Sequence, residues 1–377
     1  MTTGRALVIG GGIFGVTAAV ELRARGLAVT LADPGPLPHP LAESTDISKV
    51  VRIDYGSDVD YTTLGERALA TWRGWPEFHA SGVAFLTATP MQPGGFEHAS
   101  YELLTARGHR LDRLDAAAIA RRFPAYRPGA FVDGYTHGEG GWAEAARVVA
   151  RLVAEARAAG VTVHEECAIE RIVDGGALAD GELLAADHVV VATGAWAPEL
   201  VPALRGAMRT IGQPVFHLVP ADPALFEAAR FPVFGGDISR TGYYGFPLHR
   251  GVVKIANHGT GLAMDPGDPR HPTVTQEQAL RAFVRATFPA LADAPIVHRR
   301  LCVYGDMLDE HFWIARDPER PHVTVATGGS GHAFKFAPVL GALIADATLG
   351  IDHALAEKFR WRPELLRASR GDAARSS

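Results

Sequence analysis

The chain has 377 residues, enough for two domains. A hydrophobic fraction of 47% and a net charge of −5 are typical of a water-soluble globular protein and give no basic footprint for nucleic acid. No apolar run reaches the roughly 20 residues that span a bilayer, and the N-terminus lacks the form of a signal peptide. The charge balance and the lack of a long apolar run lead us to expect neither nucleic-acid nor membrane partners. Because the two cysteines, Cys167 and Cys302, cannot form a disulfide framework, we expect a cytoplasmic protein.

The first 33 residues have the pattern of a βαβ unit. Residues 5–9 form a short apolar run that predicts a buried strand, and Gly10-Gly11-Gly12 ends it. An apolar stripe over 14–25 predicts a helix, with Gly26 at its C-terminal end. A second strand is predicted over 27–32.

The rest of the chain mixes helical and strand patterns. Residues 43–56 are polar and then amphipathic, and they place Lys49 and Arg52 on one face if the segment is helical. Residues 210–260 alternate apolar and polar residues, which favours antiparallel strands. Further helices are predicted over 62–73, 143–160, 275–288 and 337–348, and further strands over 161–163, 187–192 and 323–326.

This order of elements predicts an α/β fold combined with antiparallel β structure. The parallel-type units lie at the start, near 145–195 and at the end of the chain, with the antiparallel signals between them. We therefore expect a Rossmann-like nucleotide-binding domain with an inserted mixed-sheet substrate domain. The predicted bounds are 1–73, 139–208 and 304–366 for the first domain, 74–138 and 209–303 for the second, and 367–377 for a flexible tail.

The glycine-rich turn predicts a dinucleotide site. Gly10-x-Gly12-x-x-Gly15 follows a strand and opens a helix, so that backbone N–H groups can approach a pyrophosphate. Asp33 ends the second strand, 18 residues after Gly15, where a carboxylate can accept hydrogen bonds from ribose hydroxyls. NAD and FAD both bind to this motif.

Three later features favour FAD. Residues 189–194 form a second unit in which a strand ends in glycine. The helix and strand before this unit would bring Ile169 near an adenine. Gly328 to Gly331 form a third glycine-rich turn, before the last helix. The N-terminus of that helix can stabilise negative charge on a flavin. Each feature alone also fits an ordinary turn between a strand and a helix; together they favour FAD.

With these motifs, the chain resembles the D-amino-acid-oxidase-type FAD superfamily, and within it the group of monomeric sarcosine oxidase, N-methyltryptophan oxidase and fructosyl amino acid oxidases (amadoriases). The resemblance runs from Ala6 to about Gly350. Thr45 and Lys49 depart from sarcosine oxidase, which has histidine and arginine there, so the substrate is not assigned. The most specific stretches are Ser44–Arg52, Gly140–Ala143, Tyr244–Pro247, Cys302–Tyr304, Asp309–Phe312 and Gly329–Lys335.

The resemblance implies a FAD domain of the glutathione-reductase type, with the flavin attached covalently through the sulfur of Cys302. A small buried core residue is the alternative reading of this cysteine. The resemblance also implies a monomer that contains no metal. The expected cofactor-binding residues are Gly10, Gly12, Ile13, Phe14, Gly15, Asp33, Ser44, Lys49, Ile169, Thr193, Gly194, Trp196, Cys302, Gly329, Gly331, His332, Phe334 and Lys335.

The resemblance also implies which residues act on the substrate. Arg52 and Lys335 would hold its carboxylate, the alternative being a surface arginine and a helix-cap lysine. Lys254 lies in an apolar run and would promote the reaction with O2, the alternative being an edge-strand lysine that faces water. Lys49 would lie beside the flavin. Further pocket residues are His258, Tyr244 and Tyr304, which could instead be a surface histidine and two buried packing tyrosines.

The sequence thus predicts an FAD-dependent oxidase of a secondary amine or an N-substituted amino acid. Hydride transfer to flavin N5 would give an imine, and O2 would be reduced to H2O2. The leading alternative is an FAD-dependent dehydrogenase of a 2-hydroxy acid or a cyclic imino acid with an acceptor other than O2. A nicotinamide-dependent reductase and an inactive flavin scaffold are disfavoured by the Cys302 motif and by the joint presence of Arg52, Lys254 and Lys335.

Overall fold

The computed structural model describes residues 4–366, so the expected tail, 367–377, lies outside the described residues. The described chain divides into two compact units. Unit 1 consists of residues 4–49, 144–211 and 303–366, and unit 2 of residues 50–143 and 212–302. No helix within 4–366 combines the length and the apolar composition that a membrane crossing requires.

The secondary structure follows in chain order. The strands are β1 (Arg5–Ile9), β2 (Ala28–Ala32), β3 (Lys49–Val51), β4 (Phe78–His79), β5 (Val83–Thr87), β6 (Asp112–Arg113), β7 (Asp133–His137), β8 (Gly141–Ala143), β9 (Thr162–His164), β10 (Arg171–Val173), β11 (Gly176–Ala179), β12 (Glu182–Ala185), β13 (His188–Val191), β14 (Met208–Leu218), β15 (Val233–Gly236), β16 (Tyr243–Gly245), β17 (Val253–Asn257), β18 (Leu262–Ala263), β19 (Ile296–Met307), β20 (Trp313–Arg316) and β21 (Val323–Thr327). The helices are α1 (Ile13–Ala24), α2 (Val59–Trp72), α3 (Phe96–Ala106), α4 (Ala116–Arg122), α5 (Ala145–Ala158), α6 (Ala197–Leu200), α7 (Ile238–Thr241), α8 (Val274–Thr287), α9 (Ala337–Leu349) and α10 (Ala356–Phe359).

Unit 1 contains a six-stranded sheet in the order β20-β21-β13-β1-β2-β9. All neighbours are parallel except β20 and β21. The strands read as continuous apolar runs because helices cover the sheet. Helix α1 packs on α9, where a Cβ at Gly341 would overlap the Thr17 carbonyl and Arg25 Nη1 lies 2.6 Å from Asp346. These strands and helices confirm the predicted α/β character of this unit.

Unit 2 contains a nine-stranded mixed sheet in the order β18-β14-β17-β16-β15-β5-β7-β6, with β19 paired to β14 as well. The antiparallel strands predicted over 210–260 are present as β14 to β17. Strands β15 and β5 pair in parallel, and this pair joins the 210–260 region to residues 83–87. Two small three-stranded sheets, β10-β11-β12 and β3-β8-β4, complete the strand structure.

The two faces of the nine-stranded sheet differ in character. Phe216, Phe234 and Ile255 belong to an apolar cluster that also contains Leu280 and Val284 of α8. Because successive strand residues point to opposite faces, Lys254 lies on the other face, across from His217. The strand registers continue that second face through Tyr244, Gly235, Phe85 and Tyr135. The second face is therefore the one that carries candidate site residues.

Two details differ from the sequence expectations. Residues 49–51 form strand β3 instead of a helix, so Lys49 and Arg52 do not share a helical face. Residues 50–73 belong to unit 2, whereas the first predicted domain extended to residue 73. The reason is local packing: Gly56 N donates to Ser100 Oγ of α3 at 2.8 Å, and Glu66 of α2 accepts hydrogen bonds from Arg107 at the end of α3.

Candidate active site

The glycine turn of unit 1 packs so closely against neighbouring backbone that side chains would not fit at Gly10 and Gly15. Gly10 has φ +99°, and a Cβ there would lie 2.6 Å from the Ala192 carbonyl oxygen. A Cβ at Gly15 would overlap the Gly10 carbonyl. Gly12 is the N-cap residue of α1 and has no side chain that could cap the helix. The backbone N–H of Ile13 donates to Ser44 Oγ at 2.9 Å. The start of α1 thus combines close-packed glycines with a helix N-terminus, the arrangement at which a pyrophosphate binds in dinucleotide-binding folds.

Asp33 lies buried at the end of β2 with its carboxylate held by the turn. Its Oδ2 accepts from Gly11 N at 2.7 Å and its Oδ1 from Gly35 N at 3.0 Å. Each carboxylate oxygen has two acceptor sites. Asp33 thus keeps acceptor capacity for ribose hydroxyls while its position is fixed.

The end of β13 adds a second polar group. Thr193 Oγ1 is buried and has no hydrogen-bond partner within residues 4–366. Gly194 follows with φ +55°, and Trp196 ends the short helical turn after it. Ile169 lies against the apolar cluster of the parallel sheet. A buried hydroxyl without a partner beside a glycine cradle fits a bound dinucleotide, so the residues of unit 1 fit FAD.

The third glycine turn of unit 1 encloses an aromatic ring. Gly331 has φ +70°, and a Cβ there would overlap the ring of the buried Tyr304. Lys49 Nζ lies 6.0 Å from the centroid of the same ring. Lys335 is buried and its Nζ donates to His332 O at 2.6 Å. Helix α9 begins only at Ala337, after this turn.

The remaining predicted residues of this region lie close to the same turn. His332 stacks on Phe312 with ring centroids 4.9 Å apart, and Phe14 meets Phe312 edge to face at 5.8 Å. Phe334 is buried, and a Cβ at Gly329 would lie 3.5 Å from the Phe14 ring. Unit 1 therefore brings together most of the residues that the resemblance assigns to the cofactor.

Lys254 is buried on a central strand of unit 2. Its exposed fraction is 2%, β17 lies between β14 and β16, and Nζ lies 4.5 Å from the centroid of Phe246. The alternative of an edge-strand lysine facing water is therefore wrong. Tyr244 lies on the same sheet face, and His258 follows the end of β17, where its backbone N–H donates to Gly242 O at 2.7 Å.

Arg52 lies among aromatic rings of unit 2. The guanidinium carbon lies 4.8 Å from the centroid of Tyr55, 5.5 Å from Phe96 and 5.7 Å from Phe85. Its Nη1 is buried and makes no hydrogen bond to any of the residues described. Rings that cover the faces of a guanidinium leave its N–H edges to do the hydrogen bonding. Arg52 is thus a half-buried cation with an unused donor, and it is not a surface arginine.

A buried carboxylate near Arg52 was not predicted from the sequence. Asp54 is fully buried and accepts from Tyr135 Oη at 2.7 Å and from His137 Nε2 at 3.1 Å. Burial acts to raise the pKa of Asp54, but the charges of His137 and Arg52 and the hydrogen bonds from His137 and Tyr135 together hold it below its ordinary value. No motif marks these residues. The only hint is a Tyr-x-His alternation in a strand.

Cys302 is buried in β19 as the last residue of its segment in unit 2, and the backbone N–H of its neighbour Leu301 donates to Arg270 O at 2.9 Å. Arg52 and Lys254 also belong to unit 2, whereas Lys49, Tyr304 and Lys335 belong to unit 1. The paired action of Arg52 and Lys335 therefore stays a prediction. No group of three or more histidine, cysteine or acidic residues within 4–366 is arranged to hold a metal ion.

Comparison with known proteins places the chain in a family. The family model described as FAD dependent oxidoreductase (DAO) matches residues 5–347. An N-methyl-L-tryptophan oxidase of Salmonella arizonae is 30% identical over 359 residues, which cover 91% of this chain and 94% of that protein. Amadoriase I of Aspergillus fumigatus, a fructosyl amine:oxygen oxidoreductase, is 25% identical with a TM-score of 0.82, over 97% of this chain and 91% of that one.

A fructosyl peptide oxidase from E. terrenum has a TM-score of 0.84 at 21% identity, over 96% of this chain and 93% of that one, which shows likeness of fold alone. The resemblance inferred from the motifs is confirmed, since these relatives come from the group that it named. The glycine turn, the buried Asp33 and the matched family model lead to one conclusion: the chain belongs to the DAO family of FAD-dependent oxidoreductases.

Proposed function

We propose that this protein is an oxidase of N-substituted α-amino acids. The observation that carries the proposal is Arg52, a cation among aromatic rings whose buried Nη1 has no partner within the described chain. Leaving a buried donor of a charged group without a partner costs free energy. A ligand carboxylate removes that cost and matches the guanidinium fork in two-point geometry. The names of the relatives, N-methyl-L-tryptophan oxidase and fructosyl amine oxidoreductase, support an amine as the oxidised group.

The cofactor in this proposal is FAD, held by the glycine turn at Gly10 to Gly15, by Asp33 and by the residues around Thr193 and Gly331. When bound, FAD supplies the two-electron acceptor that takes a hydride from the carbon beside the amine nitrogen and returns the electrons to O2, with an imine and H2O2 as products. We also propose a thioether between Cys302 and the flavin.

The side chains of the protein contribute positioning and charge. Arg52, with Lys335 as its proposed second anchor, orients the substrate by its carboxylate. Lys254 provides a buried positive charge that favours the reduction of O2, since that step creates an anion. Lys49 is proposed to lie beside the flavin, and Tyr244, His258 and Tyr304 to line the pocket. O2 and a small amine with a carboxylate are the proposed partners, and the protein is proposed to act as a monomer.

The test compares an accepted N-substituted amino acid with its carboxamide in wild type and in Arg52→Met. Removing the cation should lower kcat/KM for the acid roughly tenfold to a hundredfold, as expected for a charge-assisted hydrogen bond of about 1.5–3 kcal/mol. The value for the amide should stay nearly constant. Arg122→Met is the matched control, because Arg122 is an exposed arginine of the same unit that pairs with the exposed Asp112.

An equal loss for the acid and the amide would exclude a carboxylate clamp at Arg52. H2O2 is measured in the same assay with a peroxidase-coupled dye. Substrate consumption without a matching amount of H2O2 would rule out the oxidase and leave a dehydrogenase with another acceptor.

A further inference from the structure

Arg52 has a potential internal partner that would compete with any substrate. Asp54 follows two residues later, is fully buried, and lies near enough for the charge of Arg52 to lower the pKa of its carboxyl group. A buried carboxylate beside a guanidinium would ordinarily form a two-point ion pair with it. Such a pair would occupy the donors that the proposed substrate carboxylate needs.

The carboxylate of Asp54 is instead occupied by two other donors. Tyr135 Oη donates to Oδ1 at 2.7 Å, while His137 Nε2 lies 3.2 Å from Oδ1 and 3.1 Å from Oδ2. A carboxylate can only accept, so Nε2 must carry the hydrogen in this contact. His137 therefore spans both oxygens of Asp54, the two atoms that a guanidinium fork would need for a two-point pair.

The sheet holds these donors rigidly in place. Tyr135 and His137 are two residues apart on β7, so both side chains point to the same face as Phe85 and Val83 of β5. Their rings stack with centroids 6.4 Å apart, and the side chain of His137 is only 1% exposed. Phe85 in turn contacts the Arg52 guanidinium. Neighbouring residues of β5 and β7 thus contact both the carboxylate of Asp54 and the guanidinium of Arg52, although these two groups do not bind each other.

We propose that His137 is a positioning residue for substrate recognition: by holding both oxygens of Asp54, it prevents an internal Arg52–Asp54 pair and keeps the guanidinium available for the substrate carboxylate. The proposal rests on the proposed role of Arg52. Nothing in it requires His137 or Asp54 to touch the substrate. The effect should therefore appear in the affinity for carboxylates and not in the chemical step.

The experiment uses three substitutions in the FAD-loaded enzyme. His137→Phe keeps a ring of similar size and removes the donor; His137→Gln keeps an N–H group at the position of Nε2; Asp54→Asn keeps the shape of Asp54 and removes its charge. For each variant, KM and kcat are measured with an accepted amino acid and with its carboxamide. The inhibition constant of acetate measures carboxylate binding without turnover.

His137→Phe should raise the KM of the acid and the acetate inhibition constant roughly tenfold to a hundredfold, because Arg52 loses its donors to Asp54. Its kcat and the KM of the amide should change little. His137→Gln should behave like wild type. The double variant His137→Phe/Asp54→Asn should recover the wild-type KM, since no carboxylate remains to compete for Arg52.

A double variant as impaired as His137→Phe, or impaired further, would overturn the proposal, because it would show that His137 acts only on local structure. If His137→Phe does not fold, Asp54→Asn alone decides: an unchanged or lower KM for the acid supports the proposal, and a KM raised as far as in Arg52→Met refutes it. An unchanged preference for the acid over the amide in Arg52→Met would refute the proposed function itself. A normal KM in His137→Phe, with a large effect in Arg52→Met, would refute only the role of His137.

Discussion

Replacing Lys254 with methionine should slow the reoxidation of the reduced enzyme by O2 and leave its reduction by substrate nearly unchanged. The first electron that passes to O2 creates an anion, and a fixed cation beside it lowers the barrier. Reduction of the enzyme by the substrate creates no charge on O2, and the proposed substrate anchor at Arg52 is intact in this variant.

The burial of Lys254 sets the size of the expected effect. Its exposed fraction is 2%, and its Nζ lies 4.5 Å from the centroid of the Phe246 ring. With an effective dielectric constant of 20, two unit charges about 4 Å apart interact by about 4 kcal/mol. Loss of a single stabilising group of this type typically costs about 10²–10³ in rate. We therefore expect a reoxidation rate constant lower by about two to three orders of magnitude.

Stopped-flow spectroscopy separates the two half-reactions. Enzyme is first mixed with substrate without O2, and the reduced enzyme is then mixed with buffer of known O2 concentration. Lys254→Arg is the control, because it keeps the positive charge and should keep most of the reoxidation rate. Normal reoxidation together with slow reduction in Lys254→Met would refute this reasoning, assign Lys254 to substrate binding, and favour a dehydrogenase.

Three further predictions concern other parts of the molecule. Acid precipitation should leave the flavin with the protein in wild type and release it in Cys302→Ser; yellow supernatants from both would exclude the thioether. Gly15→Ala should purify with little flavin, because its Cβ would overlap the Gly10 carbonyl, and a normal ratio of flavin to protein absorbance would contradict the proposed pyrophosphate site. Burial lowers the pKa of His109, but its hydrogen bonds and charge interactions with Glu66 and Glu139 raise it above its ordinary value. A raised folded-state pKa contributes stability below the unfolded-state pKa, about 6.5, and this stability is lost as the pH rises through the folded-state pKa. The Tm of wild type should therefore exceed that of His109→Gln at pH 5.5, and the difference should disappear towards pH 8.5. A difference in Tm that stays constant with pH would rule out this linkage.

Most of unit 1 was predictable because its elements are locally encoded. Strand β1, helix α1 and strand β2 lie within a residue or two of their predicted bounds, since apolar runs and glycine turns determine them without help from distant residues. Residues 43–56 could not be assigned in this way. The short strand β3 exists through its pairing with β8, almost a hundred residues later, which no local pattern reveals.

The candidate site was predictable where it contains a motif. The glycine turn and Asp33 follow from spacing, and the resemblance supplied Arg52, Lys254 and Lys335. Asp54 and His137 were missed, because a lone aspartate and a lone histidine in a strand have no periodicity or spacing that distinguishes them from surface residues. Their importance depends on the sheet register, which places Tyr135 opposite Phe85 and so brings β7 under Arg52.

The order of strands in unit 1 has a consequence for synthesis on the ribosome. In the parallel sheet, β1 lies between β2 and β13, and β13 needs β21 on its other side, more than 130 residues later. Helix α9, which covers α1, comes later still. The nascent chain therefore carries its glycine turn from the beginning but cannot bury that sheet until nearly the whole sequence has emerged. Such long-range pairing slows folding and exposes apolar strands in the meantime. Truncations before residue 349 should consequently yield aggregated chains instead of a smaller protein that binds nucleotide.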